Sequence, residues 1–392
     1  MINENWSTIR ANNSRTGFAD ISQHEDKEYS ILFFSHNYQG KSYLRALNKN
    51  GRFHWQKNLD SISGEHDLIV AQDKIIACSD TISCLNLNGD VIWDYKERGK
   101  FQKPVYSDGM IIALSYQNPC EVSVIGIDLN GKKTFEVTIK TGYEIADSWI
   151  SIKDGVIYCS INGMLEYADH EGSSLQSQES TGELIKIKPN HEIEWRKKSE
   201  DESLLMQFGA TIIDKDLIIV PREHWVGDGN ELLEQKSFLD CYDLNGSLKW
   251  RYDTKESRFT GIPSCLEDVI AIETSDGTVH MLDMEAKLLS KEKYDCLNGT
   301  CARDKDLSVF GTYIYGTVHA IDKKGKILWE YKTEGNASNH PAIFDDNVLI
   351  RVEDQWCTGN FFYCFDKSGK LKWKCPLDHL HDSAPVVIGY NK

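Results

Sequence analysis

The densest group of chemistry-bearing side chains is the segment LDHLHDS, where Asp378, His379, His381 and Asp382 crowd one short connection. If it is extended, both imidazoles face one side, and with a carboxylate they could hold a metal or serve an enzyme at a channel mouth. The competing reading is a hydrogen-bonded polar loop. GDGNELLEQ (227–235) gathers Asp228, Asn230 and Glu231 but lacks the full oxygen-ligand loop of an EF-hand. SHNYQGKS (35–42) ends like a phosphate loop, yet Ser35 stands where the first glycine is needed. CLNGTC sets Cys296 near Cys301 without the second pair a zinc site requires. None of these segments reaches a full catalytic, cofactor or metal signature, and no cofactor is expected.

The elements that must position them are more legible. VHAIDKKGKILW (318–329) has seven counterparts, among them YLRALNKNGRFHW (43–55), ISCLNLNGDVIW (82–93), LDCYDLNGSLKW (239–250) and FYCFDKSGKLKW (362–373). Each reads as a β-hairpin. The turn glycines are Gly51, Gly89, Gly131, Gly246, Gly325 and Gly369, and an asparagine before four of them predicts type I′ turns. His191 and Ala286 take the glycine's place in the other two copies, which should therefore have altered turns. Four residues after the turn position stands Trp55, Trp93, Phe135, Trp195, Trp250, Ser290, Trp329 or Trp373, an aromatic in all but one copy, placed to pack on the next repeat. The recurring aspartates (Asp128, Asp243, Asp283, Asp322, Asp366) are expected to cap turn amides, not to act as bases.

Two further apolar, β-branched runs precede each hairpin, so each unit supplies four short strands. Turn-to-turn spacings of 38, 42, 60, 55, 40, 39 and 44 match a propeller-blade period with two insertions. The expectation is an all-β, eight-bladed β-propeller of four-stranded antiparallel blades in one domain, 1–392. Residues 1–28 form a lead-in, and 383–392 supply the strand that closes the first blade, removing two open edges.

Composition narrows the partners. The net charge of −16 repels phosphate backbones and anionic membranes, and favours solubility or a basic protein partner. MINENWSTIR has no basic–apolar leader pattern, and the 11 cysteines lie mostly within apolar runs, so a cytoplasmic, reduced, monomeric protein is expected.

AIDKKGKILW (320–329) is similar to the Ala-x-Asp-x-x-x-Gly-x-x-x-Trp docking motif of the PQQ-like propeller repeat, and NWSTIRANNSRTGF (5–18) resembles the segment that often precedes the first blade in that superfamily. The resemblance implies the propeller fold over nearly the whole chain. It leaves function open, because the superfamily includes quinoprotein dehydrogenases, the assembly lipoprotein BamB and scaffolds. Resemblance to the dehydrogenases would imply a Cys-Cys pair beside the quinone, a Ca²⁺ ligand set and an Asp base; this chain has no Cys-Cys dipeptide.

If the strands of each blade are lettered A to D from the axis outward, B–C and D–A connections share one face. The insertions 162–182 and 222–236 are both expected as B–C loops, and 199–203 and 377–382 as D–A loops. That face is rich in acids, and the opposite C–D turns are rich in lysine, including Lys323, Lys324 and Lys367. The expected function is a non-enzymatic protein-binding scaffold, in one version an immunity or antitoxin-like protein. The expected contact residues are Tyr167, Glu171, Glu223, His224, Trp225, Asp228, Glu231 and Glu234. The alternatives are a hydrolase or metal-dependent enzyme at the channel mouth and a quinoprotein relative.

Overall fold

A computed structural model of the chain describes residues 18–19, 28–36, 42–59, 67–168, 175–198, 212–227, 232–255, 258–259, 262–294, 301–312, 316–337, 340–353, 360–377 and 385–390. They form eight four-stranded antiparallel blades. Blade 1 takes its A strand from the C terminus. Val386–Tyr390 pairs with Glu28–His36, from Glu28↔Tyr390 to Leu32↔Val386, and Ser42–Asn48 and Phe53–Leu59 follow outward. Blade 2 runs from Asp67–Ala71 through Lys74–Cys78 and Ile82–Leu85 to Val91–Tyr95. Blade 3 runs from Lys100–Ser107 to Lys133–Lys140, blade 6 from Ser264–Leu266 to Leu288–Lys293, and blade 7 from Ala302–Arg303 to Ile327–Lys332. Blade 8 runs from Ala342–Phe344 to Leu371–Leu377. The lead-in also enters the ring, since Phe18–Ala19 pairs in parallel with Ala342–Phe344 on the axial side of blade 8.

Blades stack face to face, so strands A to C lose both faces to neighbours and read as near-continuous apolar runs. Ile31, Leu32, Phe33 and Phe34 are all fully buried, whereas the D strand Val91–Tyr95 alternates between exposed and half-buried.

The docking residue explains how each blade meets the next. The indole nitrogens of Trp55, Trp93, Trp250, Trp329 and Trp373 donate to the carbonyls of Leu87, Leu129, Met284, Lys367 and Lys49, each in the C–D turn of the following blade, at 2.8–3.0 Å. The Trp373 bond joins blade 8 to blade 1 and so closes the ring. The rings of Trp55, Trp93, Trp329 and Trp373 lie so close over Gly89, Gly131, Gly369 and Gly51 that a Cβ there would come within 2.5–2.8 Å of them. The residue paired across the hairpin from the docking position is correspondingly small in most blades: Ala46, Cys84, Gly126, Cys241, Ala320 and Cys364. Three of the cysteines are thus packing residues, with thiol pKa values that burial pushes up to about 11 at Cys84 and about 12 at Cys241 and Cys364.

The turns differ from expectation. Gly51, Gly89, Gly131 and Gly246 have positive φ but the asparagines before them do not, so these are not type I′ turns. The glycine N–H closes a four-residue turn onto the carbonyl three positions earlier, and the ladder register slips just before it, as between Ala46 and Leu47. A type I turn followed by a left-handed bulge residue describes this pattern. It is held by a side-chain cap: Oδ1 of Asn48, Asn86, Asp128, Asp243, Asp283, Asp322 and Asp366 accepts the amides two and four residues ahead. The aspartates therefore do cap turn amides. His191 and Ala286, expected in altered turns, keep the same hydrogen bonds at φ of 66° and 64°.

The irregular seams compensate locally. Phe135 stacks on His191 with ring centroids 3.8 Å apart, so the missing indole and the missing glycine fall at the same blade 3–4 contact. At blade 6, Met281 stands across from Ser290 where other blades have a small residue, and the Tyr294 hydroxyl donates to the carbonyl of Gly325 at 2.8 Å. Even so, the buried Ser290 hydroxyl has no partner among the described residues.

Candidate functional site

The described parts of the two insertions are strands, not loops. In blade 4, Val156–Ala168 and Leu175–Ile187 continue as one long hairpin, and in blade 5, Leu217–Gly227 and Leu232–Asp243 do the same. The hairpins pair edge to edge at Gln178↔Gly227 and Glu179↔Val226, which merges the two blades into a single eight-stranded sheet. Strand pairing satisfies the backbone groups that a loop would leave to water, which is why polar sequence can be held extended there.

Tyr167 pairs with Ser177 in the first hairpin, and Glu223, His224, Trp225 and Glu234 lie on the second, with Trp225 opposite Gln235 and Val226 opposite Glu234. The strand placement corrects the expectation that Trp225 lies in a segment without strand pattern. Glu171, Asp228 and Glu231 lie outside the described residues, between the strands of the two hairpins, and so do Asp378, His379, His381 and Asp382. The segments 199–203 and Cys296 are outside as well.

The ribbon is fixed at its base. Glu183 is 3% exposed and takes a two-point contact from Arg196, at 2.8 and 3.0 Å. Fully buried Asp240 takes the equivalent contact from Arg251, at 2.7 and 3.0 Å, with Tyr242 Oη donating at 3.0 Å and the buried Arg222 guanidinium forming an ion pair with it, Nε 3.2 Å away. Both carboxylates sit on a C strand, clamped by an arginine of the D strand beside it. Paired guanidinium–carboxylate contacts fix direction as well as distance, so they hold the C and D strands of both blades together where the hairpins begin.

A second cluster, which the sequence did not reveal, lies in the channel on A strands of different blades. Trp149 of blade 4 packs with Ile262, which leads into blade 6. Its indole nitrogen donates to Asp147 Oδ2 at 2.5 Å, and Lys103 Nζ of blade 3 stands 4.1 Å from its ring centroid. The backbone N–H of Lys103 donates to Asp67 of blade 2 at 2.7 Å. Burial raises the Asp147 carboxyl above its ordinary range, against the opposing pull of Lys103. The Trp149 ring thus packs with Ile262 and carries the Lys103 ammonium, which ties the A strands of blades 3 and 4 together. Among the described residues no group of three or more His, Cys, Asp or Glu side chains could hold a metal ion, and no helix is long and apolar enough to cross a membrane.

Eight blades, turn-capping Asp/Asn residues and interlocking tryptophans define an eight-bladed β-propeller. Residues 291–389 match the family model described as outer membrane protein assembly factor BamB. Solved structures of low identity share the fold. A europium-containing methanol dehydrogenase aligns at TM-score 0.63 and 13% identity over 95% of this chain and 85% of its own. BamB from Moraxella catarrhalis aligns at 0.54 and 13%, over 84% and 94% of the two chains, and apo AztD from Citrobacter koseri at 0.55 and 11%, over 93% and 99%. No curated protein matches the chain in sequence.

Proposed function

We propose that this chain is a non-enzymatic protein-binding propeller that docks a basic protein partner on the paired hairpins of blades 4 and 5. The observation that carries this reading is the edge-to-edge pairing at Gln178↔Gly227 and Glu179↔Val226. Six blades close the same ring without such extensions, so the ribbon answers no folding need. Its hairpins and their connections carry Glu166, Asp169, Glu171, Glu179, Glu223, Asp228, Glu231 and Glu234 in a chain of net charge −16, which would speed capture of a cationic surface. The match of residues 291–389 to an outer membrane protein assembly factor is consistent with a scaffold, while likeness in fold to a methanol dehydrogenase underlies the enzymatic alternative. A cytosolic immunity or antitoxin-like role is one form of this reading, and the nine free cysteines among the described residues are consistent with a reducing compartment.

The test is kinetic. Against a partner captured from the native host and purified, Trp225→Ala should speed dissociation. Neutralising Glu223, Asp228, Glu231 and Glu234 together should slow association most at low salt. Normal binding by both variants, with binding lost on charge reversal of Lys367, Lys370 and Lys372, would place the partner on the wrong face for this proposal.

A further inference from the structure

The seam between blades 6 and 7 lacks the aromatic docking residue that the other seams carry: Glu292 Cγ and Ser290 stand over Gly325 where other seams set a ring, and a cleft of about 500 Å³ lies beside them between the two blades. Its volume lies within the range of about 300–1,000 Å³ typical of small-molecule pockets. Leu266, Val269, Leu289 and Leu307 give it apolar walls, and Lys305, Lys323 and Lys324 also line it. It faces away from the acidic ribbon, among the A–B and C–D turns.

Arg303 makes the cleft chemically specific. It is 3% exposed and lines the cavity, and among the described residues its guanidinium donates to neutral acceptors: the carbonyls of Ser264 and Val269, both at 2.9 Å, and the hydroxyls of Ser308 and Ser264 at 3.2 and 3.5 Å. A buried cation without a carboxylate partner leaves a positive field in the cavity. The nearest acid in sequence, Asp304, is engaged by Lys367 Nζ at 2.6 Å and by the amides of Asp306 and Leu307. Glu267 and Asp306 are the remaining acids, against Arg303, Lys305, Lys323 and Lys324.

The carbonyl of Lys323 occupies the turn position at which Lys49, Leu87, Leu129, Met284 and Lys367 each accept an indole N–H. With serine at 290, no indole reaches it. We propose that the cleft binds a small aromatic oxyanion, with the ring between the leucines at the seam and the carboxylate or phosphate among Lys305, Lys323 and Lys324. A ring N–H would find its acceptor in the Lys323 carbonyl.

Titration calorimetry on the full chain tests this with indole-3-acetate, indoxyl phosphate, indole and acetate as probes. At least one of the two aromatic anions should bind saturably at one site, with indole and acetate each about tenfold weaker or worse. The better of the two anions identifies the headgroup. The double variant M281A/S290W restores the small-residue and tryptophan pair of the other blades. It should abolish binding and raise the thermal midpoint. K323E/K324E, on exposed turn positions, should weaken binding about tenfold without changing the fold. The proposal is overturned if neither aromatic anion binds at millimolar concentration, if folded M281A/S290W binds as the natural chain does, or if K323E/K324E leaves affinity unchanged.

Discussion

Deleting residues 386–392 should unseal the ring. The strand Val386–Tyr390 is the whole inner edge of blade 1, and Val386, Val387 and Ile388 are 1–3% exposed. Burial of such side chains contributes about 1.5–3 kcal/mol each, so the three together represent about 5–9 kcal/mol, an upper figure because unfolded chains bury some apolar surface too. The ladder to Glu28–Leu32 is lost as well, and the edge of Ile31 and Leu32 is bared. Since domains are stable by only about 5–15 kcal/mol, the loss is comparable to the entire margin. Urea and thermal unfolding of the truncated chain should show either a collapse of the midpoint or aggregation from the open edge. Adding a peptide of sequence SAPVVIGY should restore part of the loss. A truncated chain that melts within a few degrees of the full one, untouched by the peptide, would refute the closure argument.

Three further outcomes follow from the seams and turns. M281A/S290W should add about 1–2 kcal/mol by rebuilding an indole–carbonyl lock, measured by chemical denaturation; a destabilised variant would show that Met281 and Tyr294 already replace it fully. Trp329→Ser should cost about 2–4 kcal/mol, as loss of a partly buried ring and its bond to Lys367, while a cost near zero would remove the docking residues from the account of stability. The turn carboxyls of Asp128, Asp243 and Asp366 are held below their ordinary range, chiefly by the amides of Lys132 and Ser247 for the first two and by the Ser368 side chain for the third. A depressed folded pKa contributes stability above the unfolded value of about 4 and loses it as pH falls further, so D128N/D243N/D366N should flatten the acid limb of a stability–pH profile below about pH 4. An unchanged limb would contradict the assignment.

How much of this was legible depended on range. The blade period, the docking aromatics and the turn caps are all written within a dozen residues, and closure followed from what each end of the chain lacked. The turn type is not written in Asn-Gly alone, because the Asp or Asn three residues before the glycine fixes the two turn amides with its side chain. The stacking of Phe135 on His191 and the pairing of Ser290 with Met281 are visible only when blades are adjacent or strands in register. The ribbon's polar, acidic sequence shows no core-facing alternation, and what extends it is the ladder within each hairpin, joined to the other blade's hairpin at two residue pairs. The Asp67, Lys103, Asp147 and Trp149 cluster draws on three blades and left no local sign.

Hydrogen–deuterium exchange of the chain, free and bound to its purified partner, tests the central claim most directly. The account predicts slowed exchange in 164–180 and 223–236, the paired hairpins of blades 4 and 5, with the C–D turns unchanged. Protection confined to the C–D turns, with the ribbon exchanging as in the free chain, would contradict it.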